Sequence, residues 1–130
     1  MPSLSLASPG ESDTRTGGVN VHAWVFRPPN FDPRRKYPAL LEIHGGPHTQ
    51  VGHGFYHEKQ WMAARGYIVV SGNPRGSVGY GLRFANCIHA DWGNKIPTAG
   101  IEAHSGSSRQ TAITVISSAT SQKYRKFAGP

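Results

Sequence analysis

Two glycine-rich stretches hold most of the chemistry this chain could perform. One is HGGPH, residues 44–48; the other is GNPRGSVGYG, residues 72–81. Glycine has no Cβ, so the backbone N–H groups of such loops can come close to a ligand. Side by side, two such loops can build a site for an anion or for the oxyanion of a reaction intermediate. Either stretch alone also reads as a tight turn, and the case for a site rests on their falling at the same sheet edge.

Other chemistries fit less well. His44, His48, His53 and His57 are crowded together, and His53 and His57 stand four apart, which on a helix would suit zinc. His53 precedes Gly54, however, and only Glu58 is placed with them as a further ligand, so loop or surface histidines are the simpler reading and no metal is expected. The glycines at 76, 79 and 81 miss the G-x-G-x-x-G spacing of a dinucleotide loop, and no loop ending in Gly-Lys-Ser/Thr is present. No cofactor is expected. A serine nucleophile needs G-x-S-x-G between strand and helix, and RGSVG at 75–79 has arginine in place of the first glycine. Ser77 is therefore a decoy, and the chain offers an oxyanion-type loop without a nucleophile.

The elements that must position these loops can be read from the pattern. VNVHAWVFRP, from Val19, alternates with apolar residues on both faces, as a strand does. ALLEIH (39–44) is a short apolar run consistent with a buried strand, FYHEKQWMAARG (55–66) has near-helical spacing closed by Gly66, and YIVVSG (67–72) is a second buried strand. LRFANCIHADWG (82–93) reads as a second helix. Strand, helix and strand in that order make a βαβ unit, which implies parallel strands and puts both glycine loops at one edge.

Composition bounds the rest. The 130 residues hold at most one domain, with 16 Gly and 10 Pro marking a loop-rich chain. Residues 1–18 are Ser/Gly/Thr-rich without periodicity and are expected to be disordered, residues 19–94 form the structured part, and residues 95–130 are a basic Ser/Thr-rich tail in which only ITVI is strand-like. Nine basic and six acidic residues up to Asn94 give +3, and five basic and one acidic from Lys95 give +4, so over half the excess charge lies in the tail. KYRK at 123–126 is too short to imply nucleic-acid binding and reads as a solvated tail. The single cysteine, Cys87, excludes an intrachain disulfide. MPSLSLASPGES has neither a basic start nor an unbroken apolar run, and no segment approaches membrane-spanning length, so a cytoplasmic protein without membrane contact is expected.

Together, VHAWVFRPPNFDPRRKYPALLEIHGGPH, AARGYIVVSGNPRGSVGYG and FANCIHADWG resemble the start of the catalytic domain of the prolyl oligopeptidase family, in its acylaminoacyl-peptidase and dipeptidyl-peptidase-like branch. The resemblance spans about residues 17–94. It implies a partial α/β-hydrolase fold, with an incomplete, mostly parallel sheet and flanking helices, and serine-dependent cleavage of peptides or acyl-amino acids. It further implies that Gly46 offers a backbone N–H to an oxyanion hole, and that His44 stands where other branches place a hole-donating tyrosine. Gly45, Pro47, Asn73, Arg75, Gly76, Ser77 and Tyr80 would line the crevice, with Arg75 a candidate partner for Glu42.

Relatives continue from DWG into a GxSxGG elbow and later an Asp and a His, whereas this sequence leaves the pattern at Lys95. The first expectation is thus a truncated or frame-disrupted piece of a serine peptidase, inactive as it stands. The alternatives are a half-fold used for binding or self-association through an open sheet edge, a basic nucleic-acid or metal-binding module, and an enzyme with an unconventional nucleophile. Three strands with an uncovered edge would make such a chain marginally stable.

Overall fold

A computed structural model describes residues 5–16, 18–90 and 113–117. The elements are β1 (Pro9–Thr16), β2 (Val19–Phe26), β3 (Ala39–Ile43), α1 (His57–Ala64), β4 (Ile68–Asn73), α2 (Leu82–Asn86) and β5 (Ile113–Ser117). They form one five-stranded sheet in the order β1-β2-β4-β3-β5. β3 lies parallel to both β4 and β5, whereas β2 runs antiparallel to β1 and β4, so the sheet is mixed rather than mostly parallel.

Each strand's sequence fits its neighbours. Ala39, Leu40 and Leu41 of β3 are all buried, as an inner strand flanked on both edges requires. In β2 the alternation sends Trp24 and Phe26 to one face, where they pack with Leu40, Val69, Val51 and Ala63. Ala23 goes to the other face, with Leu41 and Val70. Burying side chains as large as Trp24 and Phe26 stabilises the fold by roughly 1.5–3 kcal/mol each, and both are at most 3% exposed.

α1 lies on the Trp24 face and buries Lys59 and Ala63, one helical turn apart. It ends where Gly66 N–H bonds Ala63 O at 3.0 Å and Tyr67 N–H bonds Met62 O at 3.2 Å. This paired closure satisfies carbonyls that the last turn would otherwise leave open, and it turns the chain straight into β4. Among the described residues no helix is long and apolar enough to cross a membrane.

Three expectations change. Pro9–Thr16 is not disordered but pairs residue for residue with β2, from Pro9 opposite Phe26 to Thr16 opposite Val19. Its polar sequence, PGESDTRT, has little strand propensity of its own; the apolar strand beside it supplies the ladder, a case of tertiary context overriding local preference. Secondly, the strand-like patch in the tail does join the sheet: β5 pairs with β3 from Ala39–Ile113 to Ile43–Ser117. The sheet therefore has five strands rather than three, and the free edge of β3 is covered. Thirdly, α2 is short, ending at Asn86. The other residues of the 95–130 tail lie outside the described residues.

Candidate functional site at the strand ends

β3 and β4 run parallel with Ile43 opposite Gly72 as their final pair. His44 and Asn73 therefore follow that pair side by side, and the two glycine stretches they open lie at one edge. In this arrangement the second stretch acts as a mould for the first. The His44 Nε2 lies 3.1 Å from Ser77 Oγ. Further along, Val78 N–H donates to Thr49 O at 3.1 Å. At the far end Asn73 takes both backbone groups of Val51: Val51 N–H donates to Oδ1 at 2.7 Å, and Nδ2 donates to Val51 O at 2.8 Å.

The second Nδ2 hydrogen of Asn73 goes to Tyr80 Oη at 2.7 Å. With both donors engaged, the carboxamide keeps only one lone pair of its oxygen, and Asn73 is 1% exposed. Just beyond, Tyr56 repeats the grip: its hydroxyl accepts from Gly52 N–H at 3.1 Å and donates to Gly52 O at 3.2 Å. The segment from His44 to Gly52 is thus held through its ends, its middle and its own backbone.

Two glycines are required here for different reasons. Gly46 has φ +59° and is exposed, with nothing within 4 Å of where a Cβ would sit. Its backbone conformation, not its space, calls for glycine. Its N–H has no hydrogen-bond partner among the described residues. Gly76 has φ +97°, and a Cβ there would run into Ile88 and lie 3.3 Å from Pro47 Cβ. That absent Cβ lets the first loop and the segment after α2 close on each other.

The electrostatics follow from burial. Removal from water pushes the His44 imidazole below its ordinary range, partly opposed by hydrogen bonding to Gly45 O and the Asn73 side chain and by the Glu42 charge, while Lys59 lowers it further. Glu42 takes Lys59 as a partner, at 3.0 Å from Nζ to Oε2. Lys59 is 3% exposed, and its Nζ also sits 3.9 Å from the centre of the Tyr56 ring. A lysine this buried needs both a counter-charge and a ring face. Arg75 is half-buried in the second loop.

His44 beside Ser77 has the outline of a nucleophile–base pair, but the serine is not available. Ser77 is fully buried, and its hydroxyl donates to Pro74 O at 2.7 Å. Its one proton is committed away from the imidazole. His48, His53 and His57 do not converge on His44: His53 Nε2 reaches Glu11 Oε1 of β1 at 2.7 Å and sits edge-on to Trp24, beside His22, while His48 and His57 are exposed. Among the described residues no group of three or more His, Cys, Asp or Glu could hold a metal ion.

Lys59, Tyr56 and Val51 were missed as parts of the site. The signal for Lys59 was present: it stands four before Ala63 on the apolar stripe of a predicted helix, a place where a lysine needs a buried partner. Val51 gave none, because it acts through its backbone.

Known proteins resemble this chain in sequence and in fold. Residues 53–112 match the Prolyl oligopeptidase family. The chain is 50% identical over 78 residues to the Uncharacterized peptidase YuxL of Bacillus subtilis, covering 60% of this chain and 12% of that one. It is 43% identical over 78 residues to Dipeptidyl-peptidase 5 of Aspergillus fumigatus, covering 58% and 11%. Over these residues the chain is similar to the prolyl oligopeptidase family. Among solved structures, the acylaminoacyl peptidase of Pyrococcus horikoshii superposes with a TM-score of 0.78 and 28% identity, over 88% of this chain and 19% of that one. Its α/β-hydrolase class is thereby shared. The chain spans 11–12% of the length of the curated relatives it matches. The family match also runs to residue 112, past the Lys95 at which the motifs ended.

Proposed function

We propose that this chain supplies the oxyanion-hole wall of a serine peptidase that cleaves peptide or acyl-amino acid bonds. One observation carries the reading: the exposed Gly46 N–H, without a partner among the described residues, stands on a loop that Ser77, Val78 and Asn73 hold rigid. Such a donor is useful only if it is fixed before the reaction, since reorganising it later would cost what it contributes. Gly46 would donate to the developing oxyanion, with His44, Gly45 and Pro47 shaping the loop and Asn73, Gly76, Ser77 and Tyr80 supporting it. Arg75 would line the same crevice.

The nucleophile is not among these groups, because no G-x-S-x-G occurs in the sequence and Ser77 is buried. By itself the chain is catalytically silent. A chimera tests both statements: the matching 78-residue segment replaces its counterpart in the Bacillus subtilis relative. The chimera should react with a fluorophosphonate serine probe and turn over a chromogenic peptide or acyl-amino acid substrate, while the 130-residue chain alone should do neither. Replacing the Gly46 amide by an ester, by semisynthesis, should then lower kcat by about 10²–10³. An unchanged kcat in the ester, or labelling of the chain alone, would defeat the proposal.

A further inference from the structure

The contact between His44 and Ser77 has a consequence for the peptide group next to it. Gly45 C=O and Gly46 N–H belong to one planar trans peptide, so they point in opposite directions and must turn together. His44 Nδ1 lies 3.4 Å from Gly45 O, and His44 Nε2 lies 3.1 Å from Ser77 Oγ. The ring therefore touches a fully buried hydroxyl on one side and the oxygen of the Gly45–Gly46 peptide on the other.

Ser77 has one proton, and it lies on the 2.7 Å bond to Pro74 O. Toward the imidazole its oxygen can then only accept, which requires His44 to carry a proton on Nε2. In the neutral ring that leaves Nδ1 as a bare lone pair facing another acceptor, Gly45 O. When the ring takes up a second proton, Nδ1 becomes a donor and draws that oxygen toward it. Since the peptide is rigid, the direction of Gly46 N–H changes with it.

We infer that Ser77 and His44 are positioning residues for the Gly46 N–H: Ser77 fixes the proton on His44 Nε2, and the state of Nδ1 then sets the tilt of the Gly45–Gly46 peptide. Among the described residues, the charged groups acting on the ring are Glu42 of β3 and Lys59 of α1, which are paired with each other at 3.0 Å; Asn73 of β4 meets it as a neutral hydrogen-bonding partner. Ser77 thus has a task its burial and missing motif would not suggest. It reaches the ligand-facing donor without touching the ligand. The catalytic value of this arrangement rests on the reading of Gly46 as an oxyanion donor; the proton's location does not.

The test is spectroscopic and needs no turnover. In the 130-residue chain labelled with ¹⁵N, long-range proton–nitrogen correlation distinguishes a protonated from a bare ring nitrogen. At pH 8, His44 should show a protonated Nε2 and a bare Nδ1. As pH falls, the Gly46 amide should shift with the same midpoint as the His44 ring, while the Gly52 amide, held by Tyr56, should not. Ser77→Ala should replace the single-tautomer pattern by an averaged one and displace the Gly46 amide, and Ser77→Thr should restore both. A proton on Nδ1 at pH 8 in the unaltered chain overturns the inference, as does a Gly46 amide that ignores the ring's titration. Should Ser77→Ala unfold, the titration of the unaltered chain still decides. If the tautomer is as stated but the Gly46 ester retains full activity in the chimera, the oxyanion reading fails alone.

Discussion

Asn73→Ala offers the sharpest test of how the first glycine loop is held. Beside its contact with the His44 ring, the side chain makes two hydrogen bonds to Val51 backbone groups and one to Tyr80 Oη. Truncation leaves the Val51 N–H and C=O without partners in a place where Val51 is 7% exposed and Asn73 is 1% exposed. Each stranded buried group costs about 1–3 kcal/mol, so the pair costs roughly 2–6, with about 4 as the central figure. Tyr80 is 37% exposed and can turn its hydroxyl to water, adding little. A cost of about 4 kcal/mol is close to a thousandfold in an opening equilibrium, and small domains hold only about 5–15 in all. Amide hydrogen exchange is the assay. Exchange at Val51 should accelerate by about three orders of magnitude, and exchange at Val69, in the sheet core, should accelerate less unless the whole domain opens. If Val51 exchanges in Asn73→Ala as slowly as before, the carboxamide does not hold the loop and the reasoning from geometry fails.

Other perturbations separate the forces at work. Lys59→Ala should cost about 3–5 kcal/mol by stranding Glu42 in a partly buried site, whereas the double change Lys59→Met with Glu42→Leu should be close to neutral; urea midpoints would compare them. Gly46→Ala should cost only about 1–2 kcal/mol, the strain of its backbone region, because no atom crowds the site. Gly76→Ala should cost that plus about 1–3 more for overpacking against Ile88, a difference that thermal melts would show. The lowered His44 value makes stability depend on pH with a definite sign. The unfolded chain takes up the proton first, so the contribution is complete above pH about 6.5 and declines as pH falls from there toward the native value. His44→Gln should flatten that part of the urea midpoint curve between pH 7.5 and 5.

Much of the fold is legible in the sequence. Strand periodicity in VNVHAWVFRP, the short runs ALLEIH and YIVVSG, and the Gly66 stop placed β2, β3, α1 and β4 within a residue or two. These signals are local, arising from side chains that alternate every two residues or recur every 3.6. β1 was missed because its own residues prefer no strand; its partner imposes one. β5 showed as a patch in the tail, but nothing in its sequence tells which strand it joins.

The candidate site divides in the same way. The types and spacing of His44, Gly45, Gly46 and Pro47, and of Asn73 through Tyr80, determined that two bare-backbone loops meet at one sheet edge. They also determined that no elbow serine accompanies them. What only the tertiary structure decided is which atom holds which. Glu42 pairs with Lys59 because α1 packs on the sheet face that holds β3, and Asn73 reaches Val51, 22 residues away, because parallel strands bring their ends together. Ser77 turns from decoy into anchor because burial and the Pro74 carbonyl fix its one proton. Hydrogen-bond partners across such distances depend on ångström-scale placement of whole elements, and residue order encodes that placement only through the packed fold.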